Sequence, residues 1–185
     1  MLDVIRSSAG TLVAWAKLKL YPGMGMIDIN KTLRSAKKLL ACLPAELVVE
    51  EILEPLIEDL VPSGAVILVD TDRPEAVVQY YPRTEILTLS RSDLGLFLLP
   101  KGRVIERIKS ERVDIAIDFH REFFLPTAYL CAQSGARITA GFGSSKGTPF
   151  FNIAYQPKRL GGSIISMCQD LIRMLHSIGL KREGS

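Results

Sequence analysis

The chain has 185 residues, 48% hydrophobic and 23% charged, with a net charge of +3. That length and balance suit one globular domain with its own core and exclude a disordered or fibrous chain. The small positive excess points neither to nucleic acid nor to an anionic lipid surface as a partner.

In chain order, residues Asp3 to Tyr21 read as an N-terminal helix, with Leu12, Trp15 and Leu18 on one face and Lys17 and Lys19 to the side. This helix is expected to dock on the domain's own core; an interfacial membrane anchor is the alternative. Met1–Ser8 carries Asp3 and one basic residue, Arg6, a poor leader peptide. No apolar run approaches the ~18 residues of a transmembrane helix. Pro22-Gly-Met-Gly25 separates this helix from the rest of the chain.

Lys38 to Leu43 reads as a first strand. Glu46 to Val61 reads as a helix with Val48, Ile52, Leu56 and Leu60 on a stripe, bent or restarted at Pro55. The unbroken apolar run Ala65 to Asp70 has the look of a strand covered on both faces. Glu85 to Ser90 is a shorter strand. Lys101 to Arg112 is a helix with Val104, Ile105 and Ile108 inward, and Val113 to Phe119 is the next strand. Pro126 to Ser134 forms a short helix, with Pro at its start and Gly135 at its C-terminal cap. Arg137 to Gly141 and Phe151 to Tyr155 are two further strands. Ser163 caps a last helix, striped by Ile164, Cys168, Leu171, Leu175 and Ile178 and ended by Gly179.

This alternation predicts an α/β fold: a three-layer Rossmann-like domain with a mostly parallel sheet of about five to seven strands, preceded by the N-terminal helix. The expected division is an N-terminal helical extension over 1–37, the α/β domain over 38–180 and a tail over 181–185. In such sheets ligands bind beyond the carboxyl ends of the strands, so the loops after Leu43, Asp70, Phe119 and Gly141 are the places to watch.

Cys42, Cys131 and Cys168 are odd in number and far apart in sequence, each among apolar residues. They form neither a disulfide framework nor a zinc site and read as small buried hydrophobes in a reducing cytoplasm. Gly141-Phe-Gly-Ser-Ser-Lys-Gly-Thr148 lacks the spacing of a phosphate-binding P-loop and leads into a strand, not a helix. It reads as a Gly/Ser loop; contact with a polar ligand through Ser144, Ser145 and Lys146 is the alternative. Asp70 and Asp72 close a strand. They are either a polar turn or, as in haloacid dehalogenase-type phosphatases, a pair that holds Mg²⁺. Asp118-Phe-His-Arg-Glu122 is the densest titratable cluster and comes at the end of a strand. There His120 suits a general base, and Arg121 suits a clamp on phosphate or carboxylate. The plain alternative is a solvated turn with Glu122 capping the next helix. His176, inside the last helix, reads as surface.

Beyond pattern, Val113-Asp-Ile-Ala-Ile-Asp-Phe-His120, a short helix, Ser134-Gly-Ala-Arg137 and Gly141-Phe142 together resemble glycosyltransferase family 9, the ADP-heptose:lipopolysaccharide heptosyltransferases. Tyr81-Pro-Arg-Thr-Glu-Ile-Leu87 and the close of the last helix, Ile178-Gly-Leu180, resemble family motifs too, so the likeness runs from about Lys38 to Leu180. It implies one half of a GT-B glycosyltransferase, the acceptor-side domain. The family's second domain, which holds the nucleotide-sugar, is expected to be absent from this chain. The resemblance also implies a Gly-Asp pair before a proline, its aspartate the base. The matching positions ahead of Pro55 are Val48 and Val49, which cannot take a proton. Glu46, Glu50, Glu51 and Glu54 lie nearby, either as substitutes or as the helix's solvated face.

The expected function is sugar, glycan or protein binding without transferase activity by the chain alone, with His120, Glu46 and Glu50 as catalytic candidates if it is active. His120, Arg121, Ser144 and Lys146 are the expected rim for a sugar or sugar-phosphate ligand. The alternatives are a small-molecule enzyme using Asp70, Asp72, His120 and Arg121, and a subunit that pairs with a separate donor-binding domain. A homodimer through Phe97 and Leu98 is a further option. No cofactor is implied, and the expected location is the cytoplasm or the inner membrane's cytoplasmic surface.

Overall fold

A computed structural model describes residues 2–20, 27–44, 50–61, 65–70, 84–143, 150–157 and 162–180. Its strands are β1 (Lys38–Leu43), β2 (Ala65–Asp70), β3 (Thr84–Thr88), β4 (Ile115–Asp118), β5 (Ile138–Phe142) and β6 (Ile153–Tyr155). They form one six-stranded sheet in the order β3-β2-β1-β4-β5-β6. Every pairing between these strands is parallel. The expected α/β architecture is therefore present, and the order reverses direction between β1 and β4, the switch point of a doubly wound sheet.

Strand alternation assigns the core. On β1, Leu39, Ala41 and Leu43 face one way and meet Ile115 and Ile117 of β4 and Ile138 and Ala140 of β5. That face is covered by α2 (Ile29–Ser35), α3 (Glu50–Pro55) and α6 (Ile164–Leu180), through Leu33, Ile52, Leu171 and Leu175 among others. Leu40 and Cys42 face the other way with Ala116, under α4 (Gly102–Ser110) and α5 (Leu125–Gln133). Pro at the start of α5 and Gly135, at φ +83°, just beyond its end match the expected caps. Ser163 takes up its capping position too, its Oγ accepting from Ser166 N at 3.2 Å.

Several expectations need correction. Helix α2 has no counterpart among the predicted elements: it is seven residues long and starts on Asp28, whose carboxylate accepts from Lys31 N. It packs on α6. The last helix does not stop at Gly179 but runs to Leu180. Gly179 is there because α2 crosses closely, so that a Cβ would sit 3.1 Å from Leu33 Cβ. Arg34 Nε donates to Gly179 O at 2.6 Å, supplying a partner for a carbonyl at the helix end. The expected break at Pro55 is real: the chain passes there from α3 into a π-helical segment, Leu56–Leu60. His176 is half-buried, not simply surface, with Nδ1 2.7 Å from Asp59 O.

The N-terminal helix α1 (Leu2–Leu20) lies outside α5, as the docking expectation requires. Ala14 is fully buried against Leu125, Ala128 and Tyr129, with Val13, Trp15 and Leu18 beside it. Leu12 does not share that face and is 71% exposed. Gly10 makes the approach possible, since a Cβ there would stand 2.2 Å from the Phe97 carbonyl oxygen. Backbone cannot yield as a side chain does. Gly10→Val is therefore expected to lift α1 off α5. Trp15 is the only tryptophan, so the emission of this variant should shift to the red while the cooperative unfolding of the sheet survives. An unshifted spectrum would show the docked contact to be dispensable.

Candidate functional site

Register brings the site together. Asp118, the last residue of β4, pairs with Cys42 of β1 on one side and Gly141 of β5 on the other. Ile115, Ile117 and Phe119 point to the α6 face, so Asp118 and Ala116 point to the α5 face. The carboxylate thus lies at the switch point, beneath α5, and is 2% exposed.

A buried carboxylate is costly unless its oxygens are hydrogen-bonded. Here each oxygen has a partner. Oδ1 accepts from His120 N at 3.1 Å and lies 2.6 Å from His120 Nδ1. Oδ2 accepts from Thr127 Oγ1 at 2.9 Å. An ionised carboxylate only accepts, so Nδ1 carries the hydrogen of its bond. The imidazole is only 14% exposed and stacks on Phe124, with centroids 4.9 Å apart and planes 29° apart. Phe124 itself is 38% exposed, so an aromatic face flanks the histidine at the rim. A histidine oriented by a buried carboxylate can serve as a general base or as a fixed hydrogen-bonding group for a ligand.

Beneath this pair, Cys42 and Cys131 touch, Sγ to Sγ 3.7 Å. The residues are 89 apart in sequence and become neighbours only through helix-on-sheet packing. The Cys42 thiol is raised well above its ordinary range by its contact with Cys131, by burial and by the Asp118 charge. Contact with Cys42 pulls Cys131 the other way, but burial and Asp118 override it and its thiol is raised as well. These thiols are poor nucleophiles, as buried cysteines usually are.

The remaining expected residues are spread around this pair and across the sheet. Arg121 and Glu122 are exposed beside His120. Glu122 does not cap α5: the capping position belongs to Phe124, which makes no side-chain cap bond. Glu50 opens α3. Asp70 ends β2, opposite Leu43 of β1. Two strand spacings, roughly 10 Å of backbone, separate β2 from β4. Glu46, Val48, Val49, Asp72, Ser144 and Lys146 lie outside the described residues. Among the described residues, no three His, Cys, Asp or Glu side chains converge as a metal site, and no helix is long and apolar enough to cross a membrane. Phe97 is 40% exposed and Leu96 69%, while Leu98, at φ 58°, is half-buried. Thr127 was missed; only the parity of Asp118 on β4, together with the threonine's place in the first turn of α5, points to it.

No family model matches the sequence, and no curated protein matches it either. Among solved structures, a glycosyltransferase family 9 protein from Veillonella parvula is similar in fold, with a TM-score of 0.54 at 20% identity. The similarity covers 75% of this chain and 41% of that one, so the chain spans less than half the length of its neighbour. The chain thus has a Rossmann-like fold that matches one half of a GT-B-like glycosyltransferase.

Proposed function

We propose that this chain is an acceptor-side domain akin to that of the heptosyltransferases, and that it binds a sugar, sugar phosphate or glycan at the β1/β4 switch point without transferring sugar by itself. The observation that carries this reading is the Asp118–His120 pair at the carboxyl end of β4, where α/β sheets take their ligands. A held imidazole beside a partly exposed aromatic ring suits a sugar, with one group for a hydroxyl and one surface for its C–H face. Arg121 adds a cation next to it, suited to a phosphate. On the same reading Ser144 and Lys146 extend the rim. Val48 and Val49, standing where the family keeps its Gly-Asp pair, support the loss of transfer. A nucleotide-sugar-binding domain is the natural partner, and the cytoplasm or the inner membrane's surface the natural place.

Backbone amide shifts on adding a hexose phosphate or heptose phosphate are the test. They are expected to cluster on 118–125 and around 141–146, and incubation with ADP-heptose and an acceptor glycan is expected to give no product. Shifts confined to the α2/α6 side would sink the site. Turnover lost in Glu46→Gln or Glu50→Gln would overturn the claim of inactivity.

A further inference from the structure

We infer that Thr127 is a positioning residue that, through Asp118, locks His120 in the tautomer with hydrogen on Nδ1, so that the site offers a ligand the bare Nε2 as an acceptor and selects for a hydroxyl group. The inference rests on the reading of His120 as the ligand-facing group and adds which chemistry it recognises.

The geometry behind it is a chain of donors and acceptors with few ways to run. The Asp118 carboxylate has two oxygens. Oδ1 already takes the His120 amide, which has a hydrogen and must donate. Oδ2 takes Thr127, whose hydroxyl has one hydrogen and lies 2.9 Å away. Thr127 is fully buried, so water does not compete for that hydrogen. Its other acceptor, Phe124 O, is farther, at 3.2 Å. With Oδ2 held from α5 and Oδ1 held by backbone, the carboxylate cannot rotate, and Oδ1 faces His120 Nδ1 at 2.6 Å. Thr127 Oγ1 is also 3.4 Å from Nδ1. Its single hydrogen is spent on Asp118, so it gives Nδ1 nothing but a second acceptor. Both neighbours of Nδ1 therefore ask it to donate, and a neutral imidazole that donates at Nδ1 must accept at Nε2. Among the described residues Nε2 has no hydrogen-bond partner. In its neutral form such a ring binds an O–H group and gives a phosphate oxygen no hydrogen. The hydroxyl end of a ligand then belongs at His120, and any phosphate belongs toward Arg121.

The nitrogen-15 spectrum of the imidazole reads this directly, without any ligand. His176→Gln leaves one histidine, His120, whose two ring nitrogens can then be assigned. At a pH where the ring is neutral, the Nδ1–H tautomer is expected as a single form. Thr127→Val should lose that purity and show both tautomers in exchange, while Thr127→Ser, which keeps the hydroxyl, should restore it. An Nε2–H ring in the otherwise native protein, or an unchanged Nδ1–H ring in Thr127→Val, overturns the inference. Should the valine variant fail to fold, Thr127→Ala takes its place under the same two outcomes. The result is independent of sugar binding: amide mapping can fail while the tautomer holds, and the reverse.

Discussion

Titration upward from about pH 9 is expected to cost the fold stability steeply, by roughly 1.4 kcal/mol per pH unit for each thiol that stays neutral in the native state. Cys42, Cys131 and Cys168 are all 0% exposed. Burial pushes Cys168 from 9.0 up to about 12, and Cys42 and Cys131 are raised as well. Below pH 9 the thiols are neutral in both states, and their contribution is fully present. Above it the unfolded chain gains by losing protons that the folded chain retains. For Cys168 the loss continues until its folded thiol ionises near pH 12. Over two such pH units Cys168 alone costs about 3 kcal/mol, a sizeable share of the about 5–15 kcal/mol of an ordinary domain. Urea midpoints measured from pH 8 to 11 should fall along this slope. In Cys168→Ala the fall should be shallower by one thiol's share, though the starting stability is lower. An equal slope in the variant would mean that other groups govern alkaline unfolding.

The fold was legible because its signals are local. The run Ala65 to Asp70 and the alternation of apolar stretches with helical stripes sufficed for a parallel sheet, and the described residues form six strands, all paired parallel. Helix α2 escaped because seven residues make barely two turns, too few for an apolar stripe to stand out, leaving only the Asp28 cap as a sign. Gly179 misled for a related reason. A glycine near a helix end resembles a stop, but this one makes room for Leu33, a contact set by tertiary packing. At the candidate site, the strand-end rule pointed to Asp118 and His120, which lie 2.6 Å apart. What it did not supply was the third partner. Which face of α5 meets the sheet decides that Thr127 and Cys131, one turn apart, both look toward β1 and β4. No local pattern states that face, because α5 is buried almost all round.

The severest effect on the site is expected from Asp118 itself. Asp118→Asn keeps the shape but replaces one acceptor oxygen with a donor nitrogen. If the amide nitrogen faces Thr127, the hydroxyl must turn to Phe124 O, 3.2 Å away. If it faces His120, it meets the backbone N–H and Nδ1, both of which donate in the native site. The first orientation leaves one hydrogen of the new amide over, and the second takes the acceptor from both His120 donors; a buried donor without an acceptor costs about 1–3 kcal/mol. Asp118→Ala should cost at least as much, since it strips acceptors from the His120 amide and ring together and leaves space beneath α5. The two variants separate stability from positioning. In Asp118→Asn the melting temperature falls but the sheet persists, so the amide map of the protein remains readable. In that folded variant the sugar-phosphate-induced shifts on 118–125 are expected to weaken, because a neutral amide oxygen holds the His120 ring less firmly than a carboxylate does. The stack of His120 on Phe124 should loosen with it, which the ring-current shifts of neighbouring protons will report. Retained ligand shifts in a folded Asp118→Asn protein would mean that the carboxylate serves stability alone, and that the ligand is held by other parts of the rim.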